Sequence, residues 1–373
     1  MTAVDHATDL HMRAALDLAR RALPLCLPNP AVGCVIVGAG GAVLGSGHTQ
    51  AVGQAHAEVM ALRDAAVRGQ PVRGATAYVT LEPCAHQGRT GPCCEALMAA
   101  GIGRVVAALQ DPNPRVAGQG FARLRAAGIE VAVGMGADEA RELNIGFFSR
   151  MLRGMPWVRA KAAVSLDGRT ALSNGQSQWI TSPAARADGH AWRLRAGTVL
   201  TGLGTVLRDD PQLNVRLPDV PRQPDLVLLD SRLRTPATAR LWGVAGRRVR
   251  IYTAVPDAAR QRALTERGAE VIALPDERGQ VDLRAMLRDL AQREVGEVHV
   301  EAGARLNGAL LRAGLVDELL LYQAPLLLGE GAPVAALGAL TALSDGLRFE
   351  WREVQRVGDD LRLLARLPGR GNF

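Results

Sequence analysis

PCAHQGRTGPC, residues 83–93, decides how this chain is read, together with His56-Ala57-Glu58 upstream of it. One imidazole and two thiols in this order form the donor set of a zinc site, His56, Cys84 and Cys93. Three ligands leave a fourth tetrahedral position open, and a water held there has its pKa lowered to about 7, so it is a nucleophile at neutral pH. Glu58, two residues beyond the ligand His and not itself a ligand, is placed to take that water's proton and hand it on. The eight residues between Cys84 and Cys93 are turn formers and predict a loop. Pro92 suits a first helical turn, and CCEALMAAG predicts a helix ending near Gly101. A thiolate at a helix start is favoured by the dipole, for Cys93 and for its rival Cys94 alike. A closed structural zinc site is the competing reading. It needs four ligands, whereas three are evident here beside a carboxylate with no other task.

Around the motif the pattern alternates. A helix is expected from about Leu10 to Leu23, then two strands joined by a Gly-rich turn, GAGG. That turn opens no helix and is no dinucleotide fingerprint. A helix from about Ala55 to Arg68 carries His56 and Glu58 on its first turn, and the strand ATAYVTL runs into Pro83-Cys84. Strand RVVAAL, a helix near Gly120–Ala127, strand IEVAV and one long helix, ADEARELNIGFFSRML, complete the first half. The boundary is placed near Gly154, giving a first domain over residues 1–150 and a second over 155–373. The second half alternates again through GTVLTG, DLVLLD, VRIYTA, EVIAL, EVHVEAG and ELLLYQAP and ends in two strand-like runs. The fold class is α/β in both halves, with an antiparallel edge on the second.

At 373 residues and 48% hydrophobic content the chain is long enough for two cores. No apolar run reaches a membrane-spanning length and the N-terminus lacks a signal-peptide pattern, so no membrane partner and a cytoplasmic location are expected. Five Cys, three in or beside the motif, suit a reducing compartment. The net charge of +7 does not surround the motif: residues 1–150 hold 13 Arg against 12 acidic residues. Aromatic residues make up 3%, so stacking platforms are few. A nucleic-acid partner is therefore not expected, and a small anionic substrate fits better.

The order HxE, PC, C is that of the zinc deaminases. Over nearly its whole length the chain resembles the bifunctional riboflavin-biosynthesis deaminase/reductases. The first half carries PNPAVG, GSGHTQAVGQAHAE, LEPCAHQGRTGPC and DPNP; the second carries KAAVSLDGRTA, SQWITS, GTVLTGLGTVLRDDPQLNVR, DSRLRTP and VEAGARLNGALLRAGLVDEL. The resemblance accounts for the long Cys-to-Cys loop and selects Cys93 over Cys94. It implies a cytidine-deaminase-like three-layer first domain and a dihydrofolate-reductase-like second domain. It also implies zinc and NADPH as cofactors, and a dimer or tetramer as the assembly. The implied chemistry is hydrolytic removal of the 2-amino group of a diamino-ribosylamino-pyrimidinone 5′-phosphate, then NADPH-dependent reduction of the ribosyl chain to ribityl.

By the same resemblance Asn29, His48, His86, Arg89, Asp111 and Asn113 line the deaminase pocket. The amides suit a pyrimidine edge and Arg89 a phosphate. On their own, Asn in PNP and DPNP reads first as a turn residue, and His48 as a structural histidine. In the second half the resemblance assigns cofactor contacts to Ala163, Trp179, Thr205, Asp209 and Ser231, and to Gly303, Ala304, Arg305, Leu306, Asn307 and Gly308, where a strand runs into a helix start able to cradle phosphate. Substrate contacts fall to Ser177, Arg193, Leu213, Arg216 and Glu301, with Arg193 and Arg216 as phosphate partners. Lys161 joins this substrate set. It is the single Lys in a chain with 43 Arg, which is either codon bias with one survivor or a position needing a compact ammonium. GARLNG stands where the family pattern has Pro-Thr in its middle, so a deaminase with a degenerate second half is the alternative reading.

Overall fold

The computed structural model describes residues 3–86 and 91–373, and the chain divides into two compact units, Met1–Gly154 and Met155–Asn372.

In the first unit the elements run α1 (Ala3–Cys26), β1 (Gly33–Val37), β2 (Val43–His48), α2 (Ala57–Val67), β3 (Thr76–Val79), α3 (Cys93–Ala99), β4 (Arg104–Ala107), α4 (Gln119–Ala126), β5 (Glu130–Val133), α5 (Ala137–Leu143) and α6 (Ile145–Arg153). The sheet order is β2-β1-β3-β4-β5, antiparallel about β1 and parallel from β3 to β5. Alternate residues of each strand point to opposite faces. Cys34, Ile36, Ala77, Val79, Val105 and Ala107 therefore enter one core with α2, α3 and α4, while Val35, Val37, Tyr78 and Val106 enter another with α1 and α5. Burial on both faces makes this a three-layer domain. At Gly47 a Cβ would lie 2.8 Å from Ala57 O, so only a glycine lets β2 seat α2 this closely. The GAGG stretch is the β1–β2 hairpin turn.

The helix expected through ADEARELNIGFFSRML is two helices, broken at Asn144. The buried Asn144 amide accepts from Ala31 N (2.7 Å) and donates to Ala31 O (2.9 Å). It ties the break to the loop carrying Asn29, a tertiary contact that no helical periodicity announces.

The second unit runs β6 (Trp157–Val164), β7 (Arg169–Leu172), α7 (Pro183–Ala196), β8 (Thr198–Gly202), α8 (Leu203–Asp209), β9 (Asp225–Leu229), β10 (Val249–Thr253), α9 (Ala258–Thr265), β11 (Ala269–Ala273), α10 (Leu283–Gln292), β12 (Glu297–Val300), α11 (Ala304–Arg312), β13 (Glu318–Gln323), β14 (Gly331–Pro333), β15 (Glu350–Val357) and β16 (Asp360–Arg366). Its sheet is β11-β10-β9-β8-β12-β6-β13-β16-β15, parallel up to β13 and antiparallel at β16 and β15. The small β14-β7 pair was not expected from the sequence. Under α7, the buried Arg159 bridges Glu297 (2.7 Å) and Glu318 (2.6 Å), and Arg366 adds a second cation to Glu318 (2.8 Å). Charges this deep persist only when paired. Among the described residues no helix is long and apolar enough to cross a membrane.

Candidate active sites

Two helix starts and one strand end meet in the first unit. His56 is the N-cap of α2, Cys93 is the first residue of α3, and Cys84 follows β3. Pro92 is thus the cap of α3 and not part of its first turn. His56 Nδ1 lies 3.6 Å from Cys84 Sγ and 3.3 Å from Cys93 Sγ, and the three ligand atoms are all within 4.8 Å of one another. Tetrahedral zinc with Zn–S and Zn–N bonds of about 2.3 and 2.0 Å requires an N–S edge of ~3.6 Å, so the donor set fits that ion in kind and in spacing. Among the described residues this is the one cluster of its kind. Cys94 is buried in the apolar core behind α3 and lies outside it.

Electrostatics favour a thiolate here. Cys84 is lowered to about 4 by the hydrogen bond from Cys93, and then by His56; the same bond, with burial, pushes Cys93 up. The Cys93 N–H also donates to Cys84 Sγ (3.3 Å). Glu58, 3% exposed in the first turn of α2, is raised to about 7, first by burial and then by the Cys84 charge. A carboxyl poised near neutrality is suited to both taking and giving a proton.

The described members of the expected pocket set stand on loops and one strand end of this unit. Asn29 lies in the loop held by Asn144, and His48 ends β2 opposite Gly33 with its Nδ1 near Gln50 Nε2 (3.1 Å). His86 follows Cys84, and Arg89 lies outside the described residues. Asp111 is buried, and that burial raises it to about 7. Asn113 is a turn former as well: its Oδ1 accepts from Arg115 N (3.1 Å), while its own N–H donates to Asp111 Oδ1 (2.8 Å). The sequence reading missed Glu82, a buried carboxylate that gathers this loop. Its one signal was an acid between a strand and a ligand Cys.

In the second unit a cleft of about 1030 Å³ gathers Lys161, Ala163, Ser177, Trp179, Arg193, Thr205, Asp209, Leu213, Arg216, Glu301, Gly303, Ala304, Arg305 and Leu306. Ser231 lies instead in an adjoining cleft that shares Arg234, Arg305 and Leu306 with the first. Arg208, Arg234, Arg240 and Arg305, with the α11 start at Gly303, give the walls the cationic character that a dinucleotide phosphate needs. Lys161 faces the cleft; burial lowers its pKa, against Glu301, which holds it up.

Three of the expected residues are already engaged within the fold. Arg193 is not a free phosphate partner: its guanidinium is spent on both Glu301 oxygens and on Asn214 O (2.7 Å). Arg216, whose Nη1 donates to Asn214 Oδ1 (2.8 Å), is exposed. Asn307 and Gly308 are not in the lining of the cleft, which takes in Gly303 to Leu306. The Asn307 amide is buried and donates to Ala302 O and Val334 O (3.2 and 3.0 Å), and Gly308 packs against Ala336 O, where a Cβ would sit 2.2 Å away.

Residues 156–363 match the family model described as the RibD C-terminal domain, and residues 6–109 match the cytidine and deoxycytidylate deaminase zinc-binding region. The chain is 44% identical to the riboflavin biosynthesis protein RibD of Escherichia coli (strain K12), over 95% of this chain and 98% of that one. It is 43% identical to the RibD of Haemophilus influenzae, over 94% and 95%. Among solved structures it is similar to Acinetobacter baumannii RibD (TM-score 0.86, 43% identity, 97% and 99% covered). It is also similar to a diaminohydroxyphosphoribosylaminopyrimidine deaminase/5-amino-6-(5-phosphoribosylamino)uracil reductase from Thermotoga maritima (TM-score 0.87, 32% identity, 97% and 99% covered).

Proposed function

Because the chain belongs to the RibD family of riboflavin-biosynthesis proteins, we propose that its two sites act in succession on one pyrimidine ribosyl phosphate. It is a bifunctional enzyme, a zinc-dependent deaminase and an NADPH-dependent reductase. The first step hydrolyses the 2-amino group from 2,5-diamino-6-ribosylamino-4(3H)-pyrimidinone 5′-phosphate; the second reduces the ribosyl chain to ribityl. The observation that carries the reading is the spacing of His56, Cys84 and Cys93 beside the buried Glu58.

His56, Cys84 and Cys93 hold the zinc, which when bound supplies a Lewis acid that makes water nucleophilic at neutral pH. Glu58 takes the attacking water's proton and delivers it to the amine, which leaves as ammonia. Asn29 and Asn113 orient the pyrimidine edge, and His48, His86, Arg89 and Asp111 complete the pocket. In the second cleft residues 303–306 and Arg305 receive the cofactor's phosphate, and Ala163, Trp179, Thr205, Asp209 and Ser231 orient the rest of it. NADPH when bound supplies the hydride. Lys161, Ser177, Leu213, Arg216 and Glu301 position the sugar, Arg216 toward its phosphate, and Arg193 holds Glu301 in place. Across the stretch that departs from the family pattern, Gly303 to Leu306 still line the cleft, which favours a working reductase over a degenerate one. The enzyme works in the cytoplasm as a homodimer or homotetramer, which sedimentation of the purified chain checks.

Purified enzyme given the pyrimidine phosphate and NADPH is expected to release one ammonia and oxidise one NADPH per substrate. Ammonia release with no NADPH consumption overturns the reductase assignment, and NADPH consumption only with pre-deaminated substrate overturns the deaminase.

A further inference from the structure

α4 has no side-chain cap of its own, since its N-cap is Gly118. Its first amides are satisfied from far along the chain. Glu82, 3% exposed, accepts four backbone hydrogen bonds: Oε1 from Gly120 N (2.8 Å) and Phe121 N (3.3 Å), Oε2 from Gly118 N (2.9 Å) and Asp111 N (3.1 Å). One carboxylate thus caps a helix start and also pins the loop that runs from Asp111 to Gly118, with a single oxygen accepting from both of its ends. Anionic caps at helix starts are favourable, and buried charge is tolerated when every lone pair is used. The staple is close-fitting: a Cβ on Gly120 would lie 2.0 Å from Pro83 O, so the start of α4 rests directly on the residue before Cys84. Within the pinned loop the Asp111 and Asn113 side chains are oriented by turn bonds to Asn113 N and Arg115 N (2.8 and 3.1 Å). Those bonds fix the side chains only relative to the loop. What fixes the loop relative to the Cys84 segment is Glu82, whose own N–H also donates to Leu109 O (2.9 Å).

We propose that Glu82 is a positioning residue of the deaminase, which sets Asn113 and Asp111 in register with the Cys84 ligand through its four hydrogen bonds to residues 111–121. The inference rests on the reading of Asn113 as a substrate contact. Glu82→Gln keeps size and shape but turns an NH2 toward two N–H donors, so it removes two acceptor positions and frees either both ends of the loop, Asp111 and Gly118, or the first amides of α4, Gly120 and Phe121. In the full-length zinc-loaded enzyme it is expected to leave one zinc per chain and full reductase turnover. It is expected to raise the deaminase KM roughly tenfold or more with a smaller change in kcat, as a displacement of about an ångström in a positioning group does. Glu82→Asp, which keeps the charge and shortens the reach, is expected to give the same KM-weighted effect in smaller measure, and it serves if the Gln variant does not fold. Combined with Asn113→Ala, Glu82→Gln is expected to add little to the KM of the single Asn113 variant, because both act through one contact.

An unchanged KM in both Glu82 variants, while Asn113→Ala raises it, overturns the proposal and leaves the substrate reading intact. So does loss of zinc with an unchanged KM, which would make Glu82 a support of the metal corner. Asn113→Ala with an unchanged KM overturns the substrate reading itself, and the positioning role with it.

Discussion

The corner in the first unit and the cleft in the second solve different problems. At the corner, four side chains from two helix starts and the segment after a strand bring together the His/Cys/Cys group and a carboxyl, and Glu58 and Cys93 are sealed from solvent. In the cleft, the reacting hydride is borrowed from a cofactor, and the protein contributes a basic, open surface on which Trp179 is 64% exposed. A site whose chemistry resides in its own side chains loses everything with one atom. A site that orients a borrowed reagent degrades by degrees.

The sharpest way to break this contrast is Glu58→Gln. Removing the proton carrier is expected to lower deaminase turnover by about 10³–10⁴-fold with zinc retained and reductase activity untouched. Ammonia release within tenfold of wild type would remove Glu58 from the mechanism.

Next in size is a purely structural lesion. Arg159→Met strips one cation from two buried carboxylates, Glu297 and Glu318. Breaking a buried pair costs about 3–5 kcal/mol, a fall of roughly 10 °C in the second unit's melting temperature. Reductase activity should therefore fail at a lower temperature than deaminase activity. This network, together with the Arg193–Glu301 pair, is expected to make the unit acid-sensitive. Glu297, Glu301 and Glu318 all titrate below their ordinary range: burial opposes this, but Arg195, Arg193 and Arg159 respectively lead the charges that hold them ionised. Folded carboxylates with depressed pKa values contribute stability above the unfolded value of about 4.3 that is lost as pH falls through the folded ones. Thermal melts followed from pH 7 to pH 3 should show the second unit's transition flat down to about pH 4 and then falling. A transition that rises with acid would mean that these groups are not paired in solution.

The two regions also differed in how far they could be read in advance. The zinc corner was legible because its ligands stand in short motifs and its helices begin at those motifs. The sheets were legible because alternate residues such as Ile36 and Val37 feed opposite cores. What escaped reading was set by contacts distant in sequence. Asn144 breaks a helix whose periodicity runs on, because its amide finds Ala31. Arg193 looks like a phosphate ligand until Glu301, 108 residues on, takes its fork. Asn307 sits in a stretch that reads as a phosphate cradle yet turns inward to Val334. Among the described residues Glu82 has no local side-chain partner; its carboxylate bonds reach residues 111–121. In each case a polar side chain answered a backbone or charge that only the folded chain brings near.

The smallest expected effect tests the cleft's gradual character. Lys161 is the single Lys against 43 Arg, so Lys161→Arg is the substitution a composition bias alone would have accepted. Its ammonium stands 5.8 Å from the Tyr322 ring, whose hydroxyl donates to Asp188 (2.6 Å), itself held by both bonds of Arg362 Nη1 (2.9 Å). Arg193 and Glu301 are the charged groups that act on the ammonium. A planar guanidinium is larger than the ammonium it replaces and would have to intrude on the sugar's place or displace the Glu301 pair. Reductase kcat/KM is then expected to fall about 10–100-fold, with NADPH affinity within a few-fold of wild type and deamination unchanged. Wild-type reduction in the Arg variant would make the lone Lys an accident of composition. Reduction lost as completely as deamination is in Glu58→Gln would mean that the cleft, like the corner, hangs on one side chain.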